Sequence, residues 1–258
     1  MQHGSAYILG LALFLVGCPG SGGLGGDAPD PTTPEDITLA TLDGLTIAGT
    51  FQAAPGADRG PALLLLHQFE RDRSDFDVIW DDLLGAGYSL LAIDFRSHGL
   101  SDEATVPINT LLSDRDQLRF DVMAGLDDLT GRPREIDPAR VGAVGLSVGG
   151  NMAIVANHNT HGNEQAPWGC AAIATVSARK DRAEDLAGDN TLTLRDGLYI
   201  AGADETVQAE EAGALVDDTG GGREAMLVPG TSAHGVDLLN DEQDVRDRIV
   251  QWFGEVDL

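Results

Sequence analysis

The stretch Val141-Gly142-Ala143-Val144-Gly145-Leu146-Ser147-Val148-Gly149-Gly150-Asn151-Met152 decides how the chain reads. Val141 to Leu146 is small and apolar throughout, which predicts a strand buried on both faces, and Met152 to Ala156 opens an apolar helix behind it. Between them Gly145-Leu146-Ser147-Val148-Gly149 matches Gly-x-Ser-x-Gly. A serine on so sharp a strand-to-helix turn carries its hydroxyl out beyond the sheet edge. Glycines two residues before and two after leave room for the turn, and Gly150 lets the helix approach closely. Ser147 is the candidate nucleophile.

A serine hydroxyl attacks poorly at neutral pH without a base. The chain has six histidines: His3, His67, His98, His158, His161 and His234. His234, in Gly230-Thr-Ser-Ala-His234-Gly235, follows the last predicted strand, where a loop can swing an imidazole over the turn. His158 and His161 end the helix behind Ser147 and face away from the strand ends. Their spacing suggests a metal pair, but no cysteine or acidic cluster completes it, so they read as a solvated helix end, and no metal or cofactor is expected. The imidazole needs a carboxylate to fix its tautomer and stabilise its cation. Leu198-Tyr-Ile-Ala-Gly-Ala-Asp204 places an acid directly after a buried strand, with Glu205 as its rival. The expected triad is Ser147, Asp204, His234, in that chain order.

Outward from this core, strands alternate with helices. Ile37 to Leu42 and Leu45 to Phe51 read as a hairpin turning at Asp43-Gly44. Ala62 to Leu66 and Ser89 to Ile93 read as buried strands, and Cys170 to Val176, Leu198 to Ala201 and Ala225 to Val228 as further ones. Ser74 is placed to cap a helix carrying Phe76, Ile79, Trp80, Leu83 and Leu84. Leu112 to Leu129 and Glu242 to Phe253 have helical spacing. Such alternation predicts an α/β fold, a mostly parallel twisted sheet with helices on both faces.

From about Ile37 to the C-terminus the chain resembles an α/β-hydrolase, of the small, lid-poor type similar to dienelactone hydrolases and related esterases. Besides the serine turn, Leu65-Leu66-His67-Gln68-Phe69 resembles the His-Gly-x segment after the third strand, with Gln68 in place of glycine. Asp94-Phe-Arg-Ser-His98-Gly99-Leu-Ser101 resembles the loop after the fourth, with Ser97 in place of glycine. Dienelactone hydrolases proper carry a cysteine nucleophile where this chain has Ser147. The resemblance implies an oxyanion hole from the backbone N–H groups of Val148 and Phe69, with His67 and His98 as structural loop histidines. The interval from Ala178 to Gly197 is too short for a multi-helix cap, which fits small soluble esters. Arg71, Arg73 and Arg96, on loops at the same sheet edge, are candidates for binding a carboxylate of the substrate.

Composition narrows the partners. The chain has 258 residues, with 16 Lys+Arg against 42 Asp+Glu, a formal net charge of −26. This argues against nucleic acid, whose binding needs clustered cations, and against electrostatic docking on anionic lipid.

Residues 1–35 read as export signals. Ala6 to Val16 is too short to span a bilayer but has the length of a signal-peptide apolar region. Leu15-Val16-Gly17-Cys18 resembles a bacterial lipobox, which implies cleavage after residue 17 and lipid acylation of Cys18, a membrane partner through the anchor. The segment 18–35, rich in Gly and then Pro, reads as a tether to a hydrolase domain spanning 36–258. Cys170, in an apolar run, reads as a small buried residue. Function expected from these features is a lipid-anchored serine hydrolase of the cell envelope cleaving small esters. The alternatives are a peptidase or amidase of the prolyl-oligopeptidase-like type and a non-catalytic binding module on the same scaffold.

Overall fold

The computed structural model describes residues 33–56, 58–162 and 169–258, without the side chains of residues 160–162. The predicted signal segment 1–17, Cys18, most of the tether and the His161 side chain lie outside the described residues.

Among the described residues eight strands form one sheet: β1 (Glu35–Ala40), β2 (Thr46–Gln52), β3 (Gly60–Leu66), β4 (Ser89–Ile93), β5 (Ile136–Leu146), β6 (Ile173–Val176), β7 (Leu194–Gly202) and β8 (Thr219–Val228). Their order is β1-β2-β4-β3-β5-β6-β7-β8. β2 is antiparallel to both β1 and β4, and every other neighbouring pair is parallel. The helices are α1 (Trp80–Gly85), α2 (Leu118–Thr130), α3 (Val148–Gly162), α4 (Lys180–Ala187), α5 (Thr206–Asp218), α6 (Val236–Asp241) and α7 (Gln243–Glu255).

The four leucines of β3 show why its apolar run is continuous. Leu64 and Leu66 pack into one core with residues of α2, α3, α4 and α5. Leu63 and Leu65 pack into a second core with residues of α1, α6 and α7. Successive side chains point to opposite faces of a strand, so both faces must be apolar where helices cover both.

The elements differ from the sequence reading mainly in extent. β5 begins five residues before Val141, and β7 and β8 begin earlier than their apolar cores. β8 alternates exposed and half-buried residues, as an edge strand does. The helix expected to start at Ser74 is a 3-10 turn, Arg73–Phe76, capped by Asp72, whose Oδ1 accepts the Ser74 N–H at 2.9 Å. The long helix expected over 112–129 is a short 3-10 turn followed by α2.

His158 also departs from expectation. It is buried rather than solvated: its Nδ1 accepts the Thr193 N–H at 3.0 Å and its Nε2 lies 3.6 Å from Asp189. Cys170 is buried, and burial pushes its thiol far above the ordinary range. No described helix is long and apolar enough to cross a membrane.

Candidate active site

Ser147 sits between β5 and α3 and belongs to both. Its N–H donates to Val176 O at 2.8 Å, as the next residue of a strand would, and its C=O accepts Asn151 N–H at 3.0 Å, the first bond of the helix. Serving both bends the backbone to φ +52°, a left-handed conformation that side chains other than glycine rarely adopt. The flanking glycines have no alternative. A Cβ at Gly145 would lie 2.3 Å from Gly149 O, and one at Gly149 would lie 2.0 Å from Leu66 O.

His234 follows β8 on a loop that returns to the serine. Its Nε2 is 2.8 Å from Ser147 Oγ and its Nδ1 is 2.7 Å from Glu205 Oε1. An ionised carboxylate only accepts, so Nδ1 carries the proton and Nε2 is left to accept the serine O–H. The loop is pinned on its far side: Gly235 N–H donates to Ser177 Oγ at 3.0 Å, and Val236 N–H to Gln68 Oε1 at 2.8 Å. Gln68, the departure from glycine in the His67 segment, thus ties that segment to the histidine loop.

The carboxylate at the histidine belongs to Glu205, not to the expected Asp204. Asp204 is exposed, and its N–H donates to Thr231 O. The chain leaves β7 in a turn closed by Glu205 N–H on Gly202 O, which carries Asp204 outward and brings Glu205 back over the strand end. Glu205 Oε2 accepts the Ser177 hydroxyl at 2.7 Å and the Gly202 N–H at 3.0 Å. Burial alone would push this carboxyl up, but the bonds from His234, Ser177 and Gly202 together hold it below the usual glutamate value. Ser177 was not singled out from sequence. It directly follows β6 with φ +56°, and its one hydroxyl joins the acid to the histidine loop.

The backbone donors assigned by resemblance are held but unused. Gln68 N–H donates to Asp75 at 3.3 Å and Glu70 N–H to His98 Nε2 at 3.0 Å, while Phe69 N–H, between them, has no acceptor among the described residues. Val148 N–H at the start of α3 has none either. His67 and His98 lock these loops. His67 Nδ1–H donates to Gln68 O at 2.6 Å while its Nε2 accepts Phe95 N–H at 2.9 Å. His98 donates to Arg96 O at 2.8 Å. Burial holds His67 down to about 4.

Each of the three candidate arginines holds a carboxylate of the chain itself. Arg96, 1% exposed, donates to Asp121 through Nε and Nη2 at 2.9 and 2.7 Å, and to Asp43 at 2.7 Å. Arg73 pairs with Asp94 and Arg71 with Asp75. The cavity at Ser147, of about 390 Å³, is lined instead by Arg179 and Arg182, with Asn151, Gln208 and His234.

No protein-family model matches the chain. Over 119 residues it is 29% identical to uncharacterized proteins from two strains of Mycobacterium tuberculosis, a stretch that makes up 46% of this chain and 39% of theirs. The chain therefore spans well under half the length of these curated relatives. Among solved structures it is similar to an esterase of Pyrococcus furiosus, with TM-score 0.66, 18% identity, and coverage of 87% of this chain and 93% of that one. It is also similar to an esterase of Exiguobacterium antarcticum (TM-score 0.62, 14% identity, 85% and 100% covered). A dienelactone hydrolase of Anabaena variabilis compares at TM-score 0.62 and 17% identity, with 86% and 96% covered. At such identities the likeness is one of fold, and the fold is that of the α/β-hydrolases.

Proposed function

We propose that the chain is a serine hydrolase that cleaves carboxylic esters through an acyl-enzyme. The observation that carries this reading is the unbroken relay Ser147 Oγ, His234 Nε2, His234 Nδ1, Glu205 Oε1, with contacts of 2.8 and 2.7 Å. Ser147 Oγ attacks the ester carbonyl carbon as its proton passes to His234 Nε2. The carbonyl oxygen becomes an oxyanion facing the free N–H groups of Val148 and Phe69, and each such donor is worth about 3 kcal/mol of barrier. His234 then protonates the leaving alcohol as the acyl-enzyme forms. Water, deprotonated by the same imidazole, releases the acid and restores Ser147. Glu205 keeps the proton on Nδ1 and balances the imidazolium charge in each half-reaction. The esterases and the dienelactone hydrolase that share this fold add weight to an ester rather than another acyl bond.

The test is covalent. A fluorophosphonate probe should label the purified chain at Ser147, and His234→Ala should abolish the label. A folded chain that is not labelled would leave the binding-module reading. Rates on matched esters and anilides distinguish esterase from amidase.

We further propose, on the Leu15-Val16-Gly17-Cys18 pattern, that the chain is exported and anchored to a bacterial membrane through acylated Cys18. Metabolic labelling with palmitate, lost in Cys18→Ala together with membrane fractionation, tests this.

A further inference from the structure

The imidazole of His234 is 40% exposed, so packing alone does not hold it, and its place depends on how its loop is fastened. Two side chains from outside the loop do the fastening. Ser177 Oγ accepts Gly235 N–H at 3.0 Å, and Gln68 Oε1 accepts Val236 N–H at 2.8 Å. Ser177 also donates to Glu205, so it links the loop to the acid. Gln68 links the loop to the segment after β3, which carries Phe69 N–H, the donor assigned to the oxyanion. Resting on the hydrolase reading, we propose that Gln68 is a positioning residue that sets the spacing between the general base His234 and the oxyanion donor Phe69 N–H.

The bond does for α6 what its own cap cannot. Val236 is the first residue of α6, where leading N–H groups lack partners within the helix, and Gly235 before it has no side chain to supply one. Gln68 Oε1 fills that role from 168 residues earlier in the chain. His234 C=O accepts Asp237 N–H at 3.1 Å, so the turn that begins α6 also carries the imidazole. The fit is close. A Cβ at Gly235 would lie 2.1 Å from Gln68 Oε1 and 3.8 Å from Ser147 Cβ, so amide oxygen and serine both crowd this point of the loop. The backbone end of Gln68 is fixed as well. Its C=O accepts the His67 Nδ1–H at 2.6 Å and its N–H donates to Asp75 Oδ2 at 3.3 Å. His67 is fully buried, and its Nε2 accepts Phe95 N–H at 2.9 Å.

In the His-Gly-x segment that Leu65 to Phe69 resembles, position 68 is a glycine, which has no side chain to send across the site. The tie therefore belongs to this chain rather than to the fold. Ser147 must face His234 Nε2 and both oxyanion donors at once. Val148 is placed by the serine turn itself, but Phe69 and His234 stand on separate loops after β3 and β8. A misplacement of about 1 Å between such groups can cost on the order of 10²-fold in rate. Gln68 is not among the described residues that line the Ser147 cavity, so its effect should fall on kcat and leave substrate binding alone.

The experiment contrasts side chains of similar length. Gln68→Met keeps the reach and loses the acceptor, whereas Gln68→Glu keeps both. Gln68→Gly removes the side chain altogether and guards against a misfit of methionine. On 4-nitrophenyl butyrate, Gln68→Met and Gln68→Gly should each lower kcat by about tenfold or more with KM within about twofold, while Gln68→Glu at its optimum pH stays within about threefold of the parent. The added carboxylate of Gln68→Glu favours the imidazolium, so the acid limb of its pH–rate profile should move to higher pH, which a residue remote from His234 would not cause. Urea unfolding shows that each variant is folded. The proposal is overturned by an unchanged kcat in Gln68→Met and Gln68→Gly, or by a loss that appears in KM instead. It is equally overturned by a Gln68→Glu variant as slow as Gln68→Met, or by an acid limb that stays in place. Fluorophosphonate labelling separates this failure from that of the hydrolase reading. A parent labelled at Ser147 no faster than Gln68→Met refutes the positioning role alone, whereas a folded parent that is never labelled removes the reaction and the proposal with it.

Discussion

Glu205→Gln replaces one oxygen by an amide nitrogen, and the surroundings decide how the new side chain must lie. The carboxylate accepts three hydrogen bonds: His234 Nδ1–H at Oε1, and the Ser177 hydroxyl and Gly202 N–H at Oε2. A glutamine has one oxygen and one NH2 to offer. If the oxygen faces His234, the NH2 lies against Gly202 N–H, two donors about 3 Å apart in a buried turn, at a cost of about 1–3 kcal/mol. If the oxygen faces Ser177 and Gly202, every bond there survives and the NH2 donates to His234 Nδ1. The second arrangement leaves no buried group unpaired, so it prevails. It also moves the imidazole proton to Nε2, which can then no longer take the proton of Ser147.

The variant should therefore fold almost as well as the parent and lose most of its activity. A tautomer error of this kind costs on the order of 10⁴ in kcat, about 5.5 kcal/mol of barrier. Asp204→Asn, at an exposed carboxylate one residue away, should stay within about twofold, as surface changes do. Steady-state hydrolysis of 4-nitrophenyl butyrate gives the activities, and urea unfolding confirms the fold. The reasoning is refuted if Glu205→Gln keeps more than about a tenth of the activity, or if Asp204→Asn loses as much as Glu205→Gln.

Three more outcomes follow from buried groups. Ser177→Ala and Ser177→Gly both delete the hydroxyl that serves Glu205 and Gly235, so kcat should fall by about tenfold or more in each; glycine relieves the φ of +56°, so calorimetry should find Ser177→Gly the more stable of the two. Arg96→Met leaves Asp121 buried without its guanidinium and should cost about 3–5 kcal/mol in urea unfolding, with much of the loss recovered in Arg96→Met/Asp121→Leu. His67, held to about 4 by burial against 6.5 when free, keeps the folded chain from binding a proton that the unfolded chain takes up. Stability should thus fall as pH drops from about 6.5 to about 4, by up to about 3 kcal/mol in total. Asp121, raised by burial to about 6, acts in the opposite sense below that pH, so the histidine contribution is read as the difference between wild type and His67→Asn.

Features that depend on near neighbours in sequence were legible. The serine turn needs only a buried strand, a helix and glycines where backbone meets backbone, and all of these lie within a dozen residues. The leucine run of β3 is likewise its own evidence, because a strand covered on both faces cannot alternate. His158 and Arg96 were not legible in this way. What surrounds them, Thr193 and Asp189 for one and Asp43 and Asp121 for the other, arrives from distant segments, so no local pattern distinguishes a buried polar side chain from a solvated one.

The acid shows where sequence reading stops even within one dipeptide. Asp204 and Glu205 both follow a buried strand, and either could orient an imidazole. Three contacts outside the dipeptide choose between them. Thr231 O takes the Asp204 N–H, the turn on Gly202 O directs Glu205 inward, and the Ser177 hydroxyl waits at the end of the neighbouring strand. The longer side chain also matters, since it can fold back over Gly202 and still reach His234. An aspartate at 205 would be one methylene short of spanning both partners. Glu205→Asp should accordingly lose activity by about tenfold or more while its charge is unchanged, so the distance to the imidazole, rather than the presence of an acid, is what that substitution measures.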